Sequence, residues 1–273
     1  MNYADQPPAA HVDILETVRQ RLNHARTYAL GSEHPFVTLT YAQSLDGCIA
    51  KVAGETTRIS NSLTQRMTHQ LRAMHDAILV GINTVLTDDP RLTVRLTAGN
   101  NPQPVIIDSR LRCPLDARLF QASAWRPIIV ANELACEQRE RRLLDIGARV
   151  FRVAAHDSDG RVDLTDALRT LAGLGHHKVM IEGGASIITS VLAQSLANQL
   201  LLTISPRFLG GLPAYERSAS GPARQVPPLC NLESQWLGTD LIIRADLANN
   251  GATVARETWE HPVFTDPGQH KEA

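Results

Sequence analysis

Asp88-Asp89-Pro90-Arg91-Leu92-Thr93-Val94-Arg95 sets two carboxylates beside two guanidinium groups, with Arg72 upstream on a helical stretch. Guanidinium forks suit a phosphate monoester, and a carboxylate held near them can place or protonate a reacting nitrogen. The plainer reading is a solvated loop with surface ion pairs. A second cluster, Val179-Met-Ile-Glu-Gly-Gly-Ala-Ser186, is a strand, two glycines and a helix start. Backbone N–H groups at such a start can receive a phosphate, because glycine has no Cβ to block the approach. The same residues also fit a tight turn that needs glycine only for its backbone angles. A third, Ser44-Leu-Asp-Gly47, directly follows a strand, where Ser and Asp can equally do no more than close a turn.

These motifs need elements that bring them to one edge. Phe36 to Ala42, Ala77 to Val80, Pro104 to Ile107, Pro127 to Ala131, Arg149 to Val153, Lys178 to Ile181 and Gln199 to Ser205 read as strands. Helical spacing appears over His11 to Leu30, Asn61 to His75, Glu133 to Asp145, Leu164 to Leu174 and Ala185 to Leu196. Between Gly81 and Pro90 the spacing names no element, and Pro90 stops any helix there. The alternation implies an α/β fold, a largely parallel sheet with helices on both faces. Glu233 to Leu237 and Asp240 to Arg244 read as a C-terminal antiparallel hairpin across Gly238-Thr239. Pro206 to Pro228, with five prolines and three glycines, reads as a long surface loop. In open α/β sheets ligands gather outside the carboxyl ends of the strands, where all three motifs fall.

The 273 residues allow one large domain or two modest ones, and the absence of a repeat or low-complexity linker favours one. The expected organisation is an N-terminal helical extension over 1–35, the main domain over 36–248 and a polar tail over 249–273. With 27 Lys+Arg against 28 Asp+Glu the net charge of −1 argues against nucleic acid as a partner, while leaving room for a local basic pocket. No apolar run reaches membrane-span length and the first ten residues lack a signal-peptide pattern, so the expected location is cytoplasmic. Cys48, Cys113, Cys136 and Cys230 are isolated and read as buried free thiols. No H-E-x-x-H occurs, and the one H-x-E, His270-Lys-Glu272, has no P-C-x-x-C after it, so no metal is expected. G-x-G-x-x-G and Walker loops are absent, which excludes an ordinary Rossmann dehydrogenase or P-loop enzyme.

Taken in order, Thr40-Tyr-Ala-Gln-Ser-Leu-Asp-Gly47, His75-Asp-Ala-Ile-Leu-Val-Gly81, Thr84-Val-Leu-Thr-Asp-Asp-Pro-Arg-Leu-Thr-Val-Arg95, Ile107-Asp-Ser109 and Ile181-Glu-Gly-Gly-Ala185 resemble the pyrimidine reductase of riboflavin biosynthesis, from Phe36 to about Arg244. The resemblance implies a dihydrofolate-reductase-like fold, commonly a homodimer, that uses NADPH to reduce the ribosylamino group of a pyrimidine 5′-phosphate to ribitylamino. It implies that Ala42, Thr84, Asp88, Ser109 and Gly184, Ala185, Ser186, Ile187, Ile188, Thr189 and Ser190 contact the dinucleotide. It further implies that Thr56, Arg72, Leu92, Arg95 and Glu182 hold the substrate, Arg72 and Arg95 on its phosphate. Asp88 is then the expected catalytic residue, steadying an iminium at C1′ of the opened ribose or managing its proton.

Two departures from the resemblance matter. The 35 residues ahead of Phe36 are too short for the zinc deaminase domain that many bacterial relatives carry, so reduction without deamination is expected. Gly54-Glu-Thr-Thr-Arg-Ile59 has Arg58 where those relatives often have Trp, turning a stacking contact into a cationic one, towards a cofactor phosphate if the position is kept. The opening Phe36 to Asp46 also looks like the stand-alone fungal reductases, which act before deamination; whether the substrate keeps its exocyclic amine stays open. So do two other readings, a similar enzyme on a substrate without phosphate and a nucleotide-binding paralogue without catalysis.

Overall fold

The structure, a computed structural model, describes residues 13–121, 125–156, 160–215 and 226–248. The chain opens with α1 (Ile14–Asn23), α2 (Ala25–Ser32), β1 (Phe36–Ser44), β2 (Cys48–Ala50), α3 (Ser62–Met74), β3 (Ala77–Gly81), α4 (Ile82–Asp88) and β4 (Gln103–Ile107). After a short 3-10 turn at Arg118–Phe120 follow β5 (Ile128–Asn132), α5 (Glu137–Asp145), β6 (Arg149–Val153), β7 (Ala155–His156) and β8 (Arg161–Val162). The chain then forms α6 (Leu164–Gly173), β9 (Lys178–Glu182), α7 (Ala185–Ala193), β10 (Gln199–Ser205), β11 (Leu212–Pro213), β12 (Leu229–Leu237) and β13 (Asp240–Leu247).

Nine strands form one sheet in the order β12-β13-β10-β1-β9-β3-β4-β5-β6. From β10 to β6 every neighbouring pair is parallel, and β13 and β12 close the opposite edge antiparallel. The expected parallel sheet and C-terminal hairpin are therefore present. Alternation along the strands builds two faces, as period-two side chains must. Ala77 and Leu79 of β3 join Val37, Leu39, Val105 and Val130 under Leu168 and Leu171 of α6 and Ile188 and Val191 of α7. Ile78 and Val80 point the other way with Ile106 and Ile129, towards Val85 of α4 and Leu143 of α5. On that second face Ile14, Val18 and Leu22 of α1 pack with Met67 and Leu71 of α3 against Met180, Leu201 and Ile242.

Several boundaries differ from expectation. The continuous helix expected from His11 to Leu30 breaks at His24, whose N–H is shared between the Arg21 and Leu22 carbonyls; a second helix then buries Ala25 and Ala29. The start of that stretch, residues 11 and 12, lies outside the described residues. Between Gly81 and Pro90 the chain does form a helix, α4, despite the low helix propensity of Ile82, Thr84, Val85 and Thr87. Burial of Ile82 and Val85 holds it, and Asp89 at φ 40° ends it. The helix expected from Glu133 begins at Glu137, because Asn132 first closes a turn by accepting the Leu134 N–H. Within the long loop from Pro206, β11 pairs antiparallel with β2. A Cβ at Gly211 would lie 2.2 Å from the Ala50 carbonyl oxygen, so only glycine permits this approach. Of the cysteines only Cys48 and Cys113 are buried; Cys136 is exposed at the start of α5 and Cys230 is half-buried on the edge strand β12. The expected tail over 249–273 lies outside the described residues. No described helix is long and apolar enough to cross a membrane.

Candidate active site

The parallel strands deliver the ends of β1, β9, β3 and β4 to one edge of the sheet. In register, Thr40 of β1 faces Glu182 of β9, and Gly81 of β3 faces Ile107 of β4. Helix α3 begins where Asn61 caps the Leu63 and Thr64 N–H groups, and it aims Arg72 at this edge. Arg72 grips Glu182 with two parallel bonds, Nε to Oε1 at 2.6 Å and Nη2 to Oε2 at 2.7 Å. Burial alone would lower the Arg72 pKa, but the Glu182 charge and hydrogen bonds outweigh it and raise it, so Arg72 is held as the cation.

The third nitrogen of Arg72, Nη1, donates to the Thr93 carbonyl at 3.1 Å. Arg95 Nη1 donates to Thr93 Oγ1 at 2.9 Å, while Arg95 Nε and Nη2 bond no described residue. That leaves one two-donor edge of an exposed guanidinium open, whereas the same edge of Arg72 is taken. Burial first, then the charges of Arg72, Arg91 and Arg118, hold the Arg95 pKa below the usual value against the opposing pull of Glu182. Leu92 is 1% exposed with φ 53°, so any contact it makes with a ligand is through its backbone.

Asp88, the last residue of α4, is exposed and accepts a hydrogen bond from the Thr56 hydroxyl, which joins two residues expected on opposite partners. Across the edge, a Cβ at Gly81 would lie 2.9 Å from Ile187 Cγ1, so the first turn of α7 crosses close over the end of β3. That crossing puts Gly184 beside Thr84, whose Oγ1 would be 3.7 Å from a Gly184 Cβ. No side chain caps α7, and the N–H groups of Ala185, Ser186 and Ile187 precede its first intrahelical bond, from Ile188 to the Gly184 carbonyl. This open cradle suits a phosphate. At Gly183 a Cβ would meet Ile188 N at 3.2 Å, so that glycine serves the turn itself.

The other expected cofactor contacts lie on several elements. Ser109 follows β4, its Oγ accepting the Val162 N–H at 2.9 Å, and borders a cavity of about 370 Å³ with Arg110, Asn132, Leu134 and Cys136. Ser186 Oγ accepts from Arg161 at 3.0 Å. Ile188 is fully buried in the core, and Thr189 and Ser190 lie further along α7, half-buried. Ala42 is on β1 opposite Thr203. Arg58 Nη2 donates to Gln65 at 3.4 Å, and the Arg58 carbonyl accepts from Arg207. Asp46 of the Ser44-Leu-Asp-Gly47 motif has a structural task. Its carboxylate accepts from the Ser44 hydroxyl and from the Leu209 and Gly210 N–H groups, tying the β1 turn to the loop after β10 and holding its pKa far below the usual carboxylate range.

Sequence reasoning missed His69, Thr93 and Asp108. His69 precedes Arg72 by one helical turn, a spacing that could have exposed it. Asp108 is fully buried and accepts the Cys113 N–H at 2.7 Å, shaping the loop that carries Ser109. A larger cavity of about 490 Å³, lined by Leu22, Arg26, Asp76, His177 and Lys178, opens at the opposite ends of the strands and contains none of the expected site residues.

Residues 35–243 match the RibD C-terminal domain family. The chain is 42% identical over 209 residues to the 2,5-diamino-6-ribosylamino-4(3H)-pyrimidinone 5′-phosphate reductase of Debaryomyces hansenii, covering 70% of this chain and 83% of that protein. The reductase of the same name from Archaeoglobus fulgidus is 36% identical, with 73% and 88% covered. Among solved structures, the Saccharomyces cerevisiae riboflavin biosynthesis reductase Rib7 superposes with a TM-score of 0.63 at 31% identity, over 85% of this chain and 99% of that one. Acinetobacter baumannii RibD gives a TM-score of 0.71 at 25% identity over 86% of this chain, which spans 64% of that longer protein. A family match over most of the chain, on the fold that gathers these motifs at one sheet edge, makes the protein a member of the RibD C-terminal domain family.

Proposed function

We propose that the chain reduces the ribosylamino group of 2,5-diamino-6-ribosylamino-4(3H)-pyrimidinone 5′-phosphate to a ribitylamino group, with NADPH as reductant. The observation that carries this reading is the contrast between the two arginines: Arg72 is locked on Glu182, while Arg95 turns an open two-donor edge outward. A phosphate fits the second, and the Glu182 carboxylate oxygens, each with one bond from Arg72, keep further acceptor capacity. A ring that keeps its 2-amino group offers that carboxylate adjacent N–H donors, whereas a 2-oxo ring would turn a carbonyl oxygen towards it. The names of the two stand-alone relatives point to the same amine-bearing substrate.

NADPH fits the rim, with the cradle at Gly184 for a phosphate and the cavity at Ser109 and Arg110 for its adenosine end. When bound it supplies a hydride. Asp88, oriented by Thr56, stabilises the cationic imine nitrogen of the opened ribose, and Arg95 fixes the far end of the sugar. Opening the ribose breaks C1′–O4′ and places one proton from solvent on O4′; the hydride that NADPH would supply then forms the new C1′–H bond, and the C=N π pair returns to nitrogen as the lone pair of the neutral amine. Leu232 and Trp236, exposed on the edge strand β12, offer a face for a second copy, consistent with a homodimer.

The test is NADPH oxidation by the purified chain with this substrate and with its dephosphorylated form. Turnover that needs the phosphate supports the reading; equal turnover of both removes the role of Arg95, and NADPH binding without turnover of either removes catalysis.

A further inference from the structure

We propose that His69 is the positioning residue for Arg95: its bare Nδ1 holds the Arg95 backbone so that the open guanidinium edge meets the substrate phosphate. The inference rests on the reading of Arg95 given above and adds the side chain on which it depends.

Three consecutive loop residues are held by three different side chains. The Thr93 carbonyl accepts from Arg72 at 3.1 Å, the Val94 N–H donates to Asn101 Oδ1 at 2.8 Å, and the Arg95 N–H donates to His69 Nδ1 at 2.9 Å. With Leu92 buried at positive φ just before them, the loop has one backbone path. His69 and Arg72 are three residues apart on α3 and therefore share a face, so one helix sets both the carboxylate side and the phosphate side of the site.

An N–H can only donate, so His69 Nδ1 carries no proton and the ring is the neutral Nε2–H tautomer. A second proton would set N–H against N–H beside two guanidinium groups. The surroundings disfavour that state: burial first, then Arg72 and Arg95, lower the His69 pKa to about 4 against the opposing pull of Glu182. The ring is 6% exposed, so it acts through Arg95 and does not itself cover the ligand.

The test compares His69→Leu, His69→Gln and His69→Asn with Arg95→Ala, reading KM for the phosphorylated substrate, kcat, and inhibition by inorganic phosphate, with thermal midpoints for folding. Leu removes the acceptor, Gln carries its acceptor too far from the ring's Nδ1 position, and Asn restores one near it. The expected result is a rise of about tenfold in KM and in the inhibition constant of inorganic phosphate for Leu and Gln, with kcat little changed and recovery in Asn. Wild-type phosphate affinity in folded Leu or Gln variants would overturn the proposal, as would an Asn variant no better than Gln. Arg95→Ala separates the two levels: normal KM there overturns the reading of Arg95 and this inference with it, while raised KM in Arg95→Ala and normal KM in the His69 variants overturns this inference alone.

Discussion

Arg72 and Glu182 form a two-point ion pair that joins the last turn of α3 to the carboxyl end of β9, with both N···O distances between 2.6 and 2.7 Å. The pair converts a helix position and a strand position 110 residues apart into one rigid acceptor. Arg72→Lys keeps the charge and loses the fork, so Glu182 is held at one point. We expect the fold to persist while kcat/KM for the pyrimidine substrate falls by about 10- to 100-fold, the size of one or two charge-assisted hydrogen bonds. Steady-state kinetics on the variant check this.

Asp88 tests the chemistry more narrowly. Its carboxylate is exposed and is held by Thr56 alone among the described side chains, so Asp88→Asn leaves packing untouched. Turnover at saturating NADPH and substrate is expected to fall by about 100-fold or more, because the amide cannot offset positive charge at the reacting nitrogen. Near-normal kcat at saturating NADPH and substrate would remove Asp88 from the reaction.

Gly184 provides a cofactor test. A Cβ there meets only Thr84 Oγ1, at 3.7 Å, so Gly184→Ala is sterically acceptable to the protein itself. The added methyl intrudes on the cradle at the uncapped start of α7. The expected outcome is a Kd for NADPH raised by about tenfold with a thermal midpoint within a few degrees of the parent. Fluorescence titration of NADPH and a melting curve measure the two effects separately.

Stability should depend on pH through His75. Its ring is fully enclosed between the Leu71 carbonyl, 2.7 Å from Nδ1, and Thr38 Oγ1, 2.8 Å from Nε2, and Gln199 donates in turn to Thr38. Nδ1 therefore carries the proton and Nε2 accepts. Burial lowers the pKa to about 4 from an ordinary 6.5, with Lys178 adding to it against the Leu71 carbonyl, Asp76 and Glu182. Because the unfolded chain takes up the proton first, this contribution is complete above pH 6.5 and is lost as pH falls towards 4. Urea midpoints should drop between pH 6.5 and 5 by the equivalent of about 2 kcal/mol for this residue, and a flat profile would contradict the burial of a neutral ring.

The parts of this molecule legible in its sequence are those with strong local signals. Apolar strands such as Ala77–Gly81 and Lys178–Glu182 lie close to where their composition puts them, since burial on both faces leaves little else for such runs to do. Helical spacing from Asn61 onward marks α3; Ser60 and Asn61 both suit its cap, and Asn61 is the one that fills it. Helix α4 was not legible, because a short run of β-branched residues is helical here only through the burial of Ile82 and Val85. The break at His24 also leaves no proline or glycine to mark it. At the site, residue types named Arg72 and Arg95 and the resemblance added Glu182, but neither told that one arginine is spent on the glutamate while the other stays open. That division depends on Thr93 and His69, whose roles come from a loop folding back onto a helix, Thr93 to Arg72 across 21 residues and Arg95 to His69 across 26, a relationship with no local pattern.

The central claim is hydride delivery to C1′ of a ribosylaminopyrimidine at this edge of the sheet. Its most direct test is turnover of 2,5-diamino-6-ribosylamino-4(3H)-pyrimidinone 5′-phosphate with NADPH deuterated at nicotinamide C4, each face labelled in turn, and the product read by mass and NMR. The account predicts one deuterium at C1′ of a ribitylamino product from one of the two labelled faces. Recovery of unreduced substrate with both, or label at any other carbon, would contradict it.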